Sequence, residues 1–197
     1  MHIIDVEQSA QQMRKGLDMI TEIVLAGGTV LFLNTRRQFE QATRRAATAS
    51  GSYFVTKKWL GGTLTNSMNL LSSTVKPDLI ICMSMPILGS VVKEANQSLV
   101  PTIGIVDTDC DPTGLTLAIP GNDDSEESIK LYLYLMNKAV IDAKAQRVIN
   151  RANAPADLRG GAFTKDWTCP SCGASCYASR KECFKCGTVR GAETQYL

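Results

Sequence analysis

Four short apolar runs rich in β-branched residues, each bounded by turn residues, constrain the fold of this chain more than any other feature. They are AGGTVLFLNT (26–35), PDLIICMS (77–84), VPTIGIVDT (100–108) and LTLAIPGND (115–123). Runs this short and this continuous read as strands buried on both faces. Helical stretches lie between and after them. RRQFEQATRRAATAS (36–50) places Phe39, Ala42, Ala46 and Ala49 on one stripe, with Arg36, Arg37, Arg44 and Arg45 beside it. ILGSVVKEANQSL (87–99) is a second helix. A long amphipathic third starts near Asp123–Ser125, where acidic residues suit a helix N-terminus, and continues through ESIKLYLYLMNKAVIDAKAQR (127–147). Strand and helix alternating at this spacing imply βαβ units, a mainly parallel sheet and helices on both of its faces.

The Gly- and Ala-rich NRANAPADLRGGAFTKD (150–166) breaks the pattern and reads as a linker. The expected organisation is therefore an α/β domain over 1–150, a linker over 151–165 and a small appendage over 166–190. At 197 residues there is room for one sizeable core and such an appendage. Apolar residues at 44% and charged residues at 20% describe an ordinary globular chain. No apolar run reaches the roughly 18–20 residues that a membrane-spanning helix needs, so no membrane partner is expected. The start, MHIIDVEQSA, carries neither a secretory apolar region nor an Arg/Ser-rich transit segment.

The net charge of +2 hides a strong asymmetry. Six basic residues stand against Glu40 alone between Arg36 and Lys58. Three basic face nine acidic residues between Lys76 and Lys130, and nine basic face three acidic between Lys144 and Arg190. Basic, acidic and basic blocks imply a two-sided molecule, with nucleic acid as a candidate partner for the basic blocks and solvated helix faces as the alternative.

Catalytic motifs are scarce. No G-x-G-x-x-G follows the first strand and no G-x-x-x-x-G-K-[ST] occurs, so neither phosphate cradle is signalled. His2, the sole histidine, lies at the terminus and gives a histidine-based mechanism little to build on. DTDCDPTG (107–114) imitates the first half of a calcium loop, yet its twelfth position is Ala118 instead of a bidentate Glu. An enzyme that binds a nucleotide or sugar phosphate through Asp107, Asp109 and Asn122 at the strand ends remains the alternative to a non-catalytic protein.

FVTKKWLGGTLTN (54–66) joins two lysines suited to phosphates, a flat indole at Trp59, a Gly61–Gly62 pair that permits close backbone approach, and the short polar groups Thr63, Thr65 and Asn66. A Gly-Gly turn anchored by a buried Trp is the competing structural account.

Near the C-terminus, WTCPSCGASCYASRKECFKCG (167–187) holds five of the seven cysteines. The pairs Cys169/Cys172 and Cys183/Cys186 are separated by ten residues and each is followed by Gly. Four sulfurs in two C-x-x-C turns satisfy one tetrahedral structural Zn2+. Some 20 residues whose bulky groups are Trp167, Tyr177, Phe184 and Val189 cannot build a core alone, so the metal would supply the folding energy. Disulfides or a redox pair are the alternatives. Cys176 is the fifth thiol and is expected to be free.

The wording of the chain resembles the small-ribosomal-subunit protein 2 family of bacterial and organellar type. KKWLGGTLTN is similar to its signature loop and HIIDV (2–6) to its opening strand. PDLIICM, KEANQSLVPTIGIVDTDCDP and IPGNDDSEESIKLYL follow in family order, so the resemblance extends from His2 to about Arg147. It implies a three-layer α/β/α, flavodoxin-like domain without catalytic activity or a small-molecule substrate, in contact with ribosomal RNA and neighbouring small-subunit proteins. Lys57, Lys58, Trp59, Gly61, Gly62, Thr65 and Asn66 match the loop near the RNA, while Arg36, Arg37, Arg44 and Arg45 are added on charge. The resemblance implies a basic, aromatic segment before HIID, which these 197 residues do not include. Between Leu71 and Pro77 only SSTVK stands where bacterial members carry a long helical hairpin.

The cysteine segment resembles the small zinc finger named after the Ran-binding nucleoporin. Gly173–Ala174 replaces the Thr-Phe of its ubiquitin-binding kind. Asp166, Trp167, Tyr177 and Arg180 match the kind that binds single-stranded RNA. Phosphate contact through Arg180, Lys181 and Lys185 with stacking on Tyr177 is expected, or else docking to a protein neighbour. A bacterial-style body joined to a chiefly eukaryotic finger implies an organellar setting, mitochondrial before plastid.

Overall fold

The computed structural model describes residues 3–66, 76–84, 89–153, 167–177, 180 and 182–189. The chain divides into two compact units, Met1–Val148 and Ile149–Leu197.

In the first unit, α1 (Val6–Ala26) begins at Asp5, whose carboxylate accepts the backbone N–H groups of Glu7 (2.9 Å) and Gln8 (3.3 Å). It ends at Gly27, whose φ of 104° places it in the left-handed region open to glycine. Ile3–Asp5 therefore lead into a helix and are not the strand that HIIDV resembled. The short side chain of Asp5 offers these N–H groups a ready acceptor, which decides the matter locally.

Strand β1 (Val30–Leu33) leads through a 3-10 turn, Arg37–Phe39, into α2 (Glu40–Ser50) and then β2 (Tyr53–Val55). Next come β3 (Leu79–Cys82), α3 (Gly89–Gln97), β4 (Thr102–Val106), β5 (Leu117–Pro120) and α4 (Glu126–Asn153). Helix α4 passes the expected start of the linker at residue 151, because nothing in NRAN interrupts the backbone ladder. Residues 154–166 lie outside the described ones.

The five strands are all parallel, in the order β2-β1-β3-β4-β5. This is the flavodoxin-like order, whose direction reverses between β1 and β3. Alternation along each strand divides the core in two. Val30, Phe32, Ile81, Ile103 and Ile119 meet Met13, Ile20 and Val24 of α1, Ala47 of α2, and Ile129, Leu133, Met136 and Val140 of α4. Leu31, Leu33, Ile80 and Cys82 face Val91, Val92 and Ala95 of α3 with Trp59 and Leu64. Two helix layers thus cover one sheet.

The α1–β5 packing explains Gly16. A Cβ there would stand 3.1 Å from the end of the Ile119 side chain, which would have to give by a few tenths of an ångström, so glycine lets the helix lie close on the strand. From the 3-10 turn through α2 the buried stripe is Phe39, Thr43, Ala47 and Ser50, flanked by Ala42 and Ala46, whereas Ala49 is exposed. At 100° per residue Ala49 falls off the buried arc, and Thr43 takes the place that composition had assigned to alanine.

In the second unit β6 (Trp167–Thr168) pairs antiparallel with β7 (Ser175–Cys176), and Glu182 bridges Val189.

Candidate RNA interface and metal centre

The carboxyl ends of β1 and β3 form the crevice in which ligands of such sheets bind. Here the chain itself fills it. The Arg36 guanidinium donates Nε–H to Ser84 Oγ (2.9 Å), pairs with Asp123 at 3.0 Å and also bonds Asp124. Ser84 donates in turn to Asp123 (3.0 Å), whose side chain is 2% exposed. Burial pushes the Asp123 carboxyl above its ordinary value, against the opposing pull of Ser84 and Arg36.

Asn122 accepts the Asp124 (2.8 Å) and Ser125 (3.1 Å) N–H groups where α4 begins, and Asp111 closes a local turn on Thr113 (2.9 Å). Of the other side chains in the enzyme alternative, Asp109 accepts from the Cys110 thiol (3.2 Å) and Asp107 accepts the Asp123 N–H (3.3 Å) beside Asp123 and Asp124, with Arg36 bonded into the same group. Arg36, expected among the RNA contacts, keeps a side chain 24% exposed while its guanidinium is engaged by Ser84, Asp123 and Asp124. A charge placed at the switch point is held by the buried Asp123 carboxylate and the exposed Asp124 one.

A correction concerns Trp59. It is 6% exposed and packs against the α3 side of the core, so its ring face is closed to a base. Its indole N–H donates to Glu94 Oε2 (2.9 Å). The other Glu94 oxygen accepts the N–H groups of Leu64 (2.8 Å) and Thr65 (3.1 Å) and the Thr65 hydroxyl (3.2 Å). These N–H groups open a helical turn closed by Asn66 N–H to Gly62 O at 2.7 Å, so Glu94 caps it. Burial raises the Glu94 carboxyl, but the bonds from Trp59, Thr65 and Leu64 outweigh it and leave the group below its ordinary value. Glu94, at 7% exposure, is the residue that sequence reasoning missed. Its only signal was its place in the family-like KEANQS wording.

The remaining loop residues divide by exposure. Lys57, Lys58, Gly61, Thr65 and Asn66 are exposed, and Gly61 has no heavy atom within 4 Å of where a Cβ would stand. Gly62 has a φ of 94°. Arg37, Arg44 and Arg45 are exposed, with Arg44 lying 5.7 Å over the Phe54 ring. Thr35, Arg37, Glu40, Thr56, Lys57 and Lys58 line a cleft of about 700 Å³ beside the β1 and β2 carboxyl ends.

The four sulfurs of Cys169, Cys172, Cys183 and Cys186 lie within 4.8 Å of one another. Two pairs approach at 3.4 and 3.6 Å, well beyond a disulfide bond. A tetrahedron with Zn–S of about 2.3 Å has edges of about 3.8 Å, so the cluster fits that ion.

Its two halves repeat each other. Cys169 N–H bonds Ala174 O and Gly173 N–H bonds Cys169 O; fourteen residues on, Cys183 N–H bonds Thr188 O and Gly187 N–H bonds Cys183 O, all at 2.9 Å. Gly173 and Gly187 take φ of 69° and 75°, as these turns require. Burial resists ionisation of the Cys183 thiol, but the Lys185 and Cys186 backbone N–H groups override it and pull the thiol down to about 6.

Cys176 is buried outside the four-sulfur group, with its thiol directed to Ala174 O at 3.7 Å. Tyr177, Phe184 and Val189 are 71%, 61% and 53% exposed, so among the described residues the buried cluster of this unit is Cys169, Cys176 and Cys183, with Cys172 and Ala174 packed against it. Lys185 is exposed, and Arg180 is exposed with an interaction partner of its own. Lys181 and Asp166 lie outside the described residues.

The family model described as ribosomal protein S2 matches residues 1–76 and 69–143. The small ribosomal subunit protein uS2 of Rhodopseudomonas palustris (strain HaA2) is 32% identical over 209 positions, covering 83% of this chain and 61% of the relative. The uS2m of Bos taurus is 38% identical over 152 positions, covering 74% and 51%. The uS2 of Nitrobacter hamburgensis is 31% identical over 206 positions, covering 82% and 60%. The chain thus spans roughly half to three-fifths of the length of these relatives.

At 83% of 197 residues, about 164 residues occupy the 209 positions of the first alignment, leaving about 45 without a counterpart in this chain. At 74%, about 146 residues occupy the 152 positions of the bovine one, leaving only about six. The family match breaks at 69–76, where SSTVK stands; residues 67–75 lie outside the described ones. These relatives bear the names of ribosomal proteins, which are structural components and not enzymes. With matches over most of its sheet unit, this chain belongs to the ribosomal protein S2 family.

Proposed function

We propose that the chain is a structural constituent of the small subunit of an organellar, specifically mitochondrial, ribosome, holding ribosomal RNA on its basic edge and neighbouring small-subunit proteins elsewhere. The observation that carries this is the set of exposed basic residues Arg37, Arg44, Arg45, Lys57 and Lys58, with Arg37, Lys57 and Lys58 round one cleft, and the loop with Gly61, Gly62, Thr65 and Asn66 that Glu94 anchors through Trp59, Leu64 and Thr65. Family membership gives that edge its partner. The nearly gapless alignment with the bovine uS2m, against some 45 missing positions relative to a bacterial uS2, supports the mitochondrial setting.

Cys169, Cys172, Cys183 and Cys186 hold one structural Zn2+. The finger presents Tyr177, Arg180, Lys181 and Lys185 to RNA, and the exposure of Tyr177 supports this. The test is co-sedimentation of the tagged chain with the small subunit of purified mitochondrial ribosomes. Lys57→Ala with Lys58→Ala should weaken binding to small-subunit RNA and lower its log–log salt slope by about 1.4–1.8. Glu126→Gln with Glu127→Gln should do neither. Absence from the small-subunit peak would remove the proposal.

A further inference from the structure

The cleft between the carboxyl ends of β1 and β2 has a chemistry that phosphate contact alone does not explain. Arg37, Lys57 and Lys58 stand round it with one carboxylate, Glu40, and none of the four takes part in an ion pair among the described residues. The cleft of about 700 Å³ thus gathers three cations and one carboxylate within reach of a single ligand. The Thr35 hydroxyl, on the cleft wall, is buried without a hydrogen-bond partner among the described residues. Glu40 is the first residue of α2, which continues directly from the 3-10 turn Arg37–Phe39 with the Glu40 N–H bonded to Arg37 O, so its carboxylate stands at that helix start. Neighbouring arginines have opposite fates here: Arg36 turns into the switch-point crevice and seals it, and Arg37 turns to the cleft.

We infer that this cleft receives a single unpaired guanine nucleotide of RNA, with its phosphate at Arg37, Lys57 and Lys58 and its base on Glu40. This rests on the RNA-binding reading above and narrows it to one nucleotide. A carboxylate in a cleft meant only for phosphate would repel it. It is well suited to a base, because the Watson–Crick edge of guanine presents N1–H and N2–H side by side and a carboxylate accepts both. Uracil presents one N–H between two carbonyl oxygens, which the carboxylate repels. The hydroxyls of Thr35 and Thr56 on the same wall supply donors for phosphate or ribose oxygens.

The test uses the full, zinc-loaded chain with two fluorescent single-stranded heptanucleotides, UUUGUUU and UUUUUUU, read by anisotropy at fixed salt. The guanine-bearing RNA should bind about five-fold or more tightly, the gain expected of one bidentate contact. Glu40→Gln should remove that preference without weakening UUUUUUU, and Lys57→Ala should weaken both RNAs about equally. Thr35→Val keeps the shape of its side chain and should weaken both as well. Equal affinity of the wild-type chain for the two RNAs, or a preference that survives Glu40→Gln, overturns the cleft assignment alone. Failure to bind either RNA overturns the RNA-binding reading with it. GMP binding as tightly as UUUGUUU would make the ligand a free nucleotide and overturn RNA as its source.

Discussion

Glu94→Ala tests how the signature loop is held. The change removes the acceptor of four hydrogen bonds, from the Trp59 indole, the Leu64 and Thr65 backbone N–H groups and the Thr65 hydroxyl. Thr65 is exposed and can turn to water, but Trp59 and Leu64 are 6% and 2% exposed and their donors are left buried and unpaired. At about 1–3 kcal/mol for each stranded donor, the cost should be about 2–6 kcal/mol, a large share of a domain stability of about 5–15. Urea unfolding of the zinc-loaded chain, followed by far-ultraviolet circular dichroism of the sheet unit, would measure it.

Glu94→Gln keeps the shape but turns an NH2 group toward the indole N–H, so it should cost less than the alanine change. In a Trp59→Phe background, which has no indole donor, the glutamine cost should fall by about 1–2 kcal/mol, and that coupling isolates the pair. The same bonds hold the Glu94 carboxyl below its ordinary 4.5. Its contribution is therefore present above that value and is lost as pH falls through the lower folded value, so Glu94→Gln should flatten stability against pH in the acid range. A cost under about 0.5 kcal/mol for Glu94→Ala, or no coupling to Trp59, would refute the account.

Elemental analysis should find one zinc per chain, retained in Cys176→Ser and lost in Cys183→Ser. Chelation should unfold the finger and leave the sheet unit intact, seen as new proteolytic cuts confined to residues beyond Asn153. Arg36→Ala should destabilise the sheet unit by about 3–5 kcal/mol in urea titrations, since it strands the buried Asp123 carboxylate, while leaving RNA affinity per folded molecule unchanged. If the finger holds RNA, Tyr177→Ala should loosen the ribosome-bound tail to limited proteolysis at full zinc occupancy; sensitivity to Phe184→Ala instead would assign the finger to a protein neighbour.

Much of this was legible in one dimension, because the signals involved are local. VLFL, LIIC and TIGIV declare buried strands by composition alone, and their alternation with helices dictates a parallel sheet. Two C-x-x-C-G turns define a metal site by spacing alone, and the fold repeats one turn twice. The helix α1 and the three-residue strand β2 were not legible. Helix α1 is a long helix masked by a strand-like opening, HIIDV, and β2 exists through its pairing with β1. The fates of the charged and aromatic residues were decided only in three dimensions. Arg36 and Arg37 are adjacent and chemically identical, yet one is bound to Asp123, 87 residues away, and the other lines a cleft. Trp59 had equal claims as a stacking face and as a buried anchor until α3 brought Glu94 to within 2.9 Å of its indole nitrogen. Spacing along the chain specifies what a residue can do, but which partner satisfies it depends on contacts between distant segments, and those exist only once the sheet has formed.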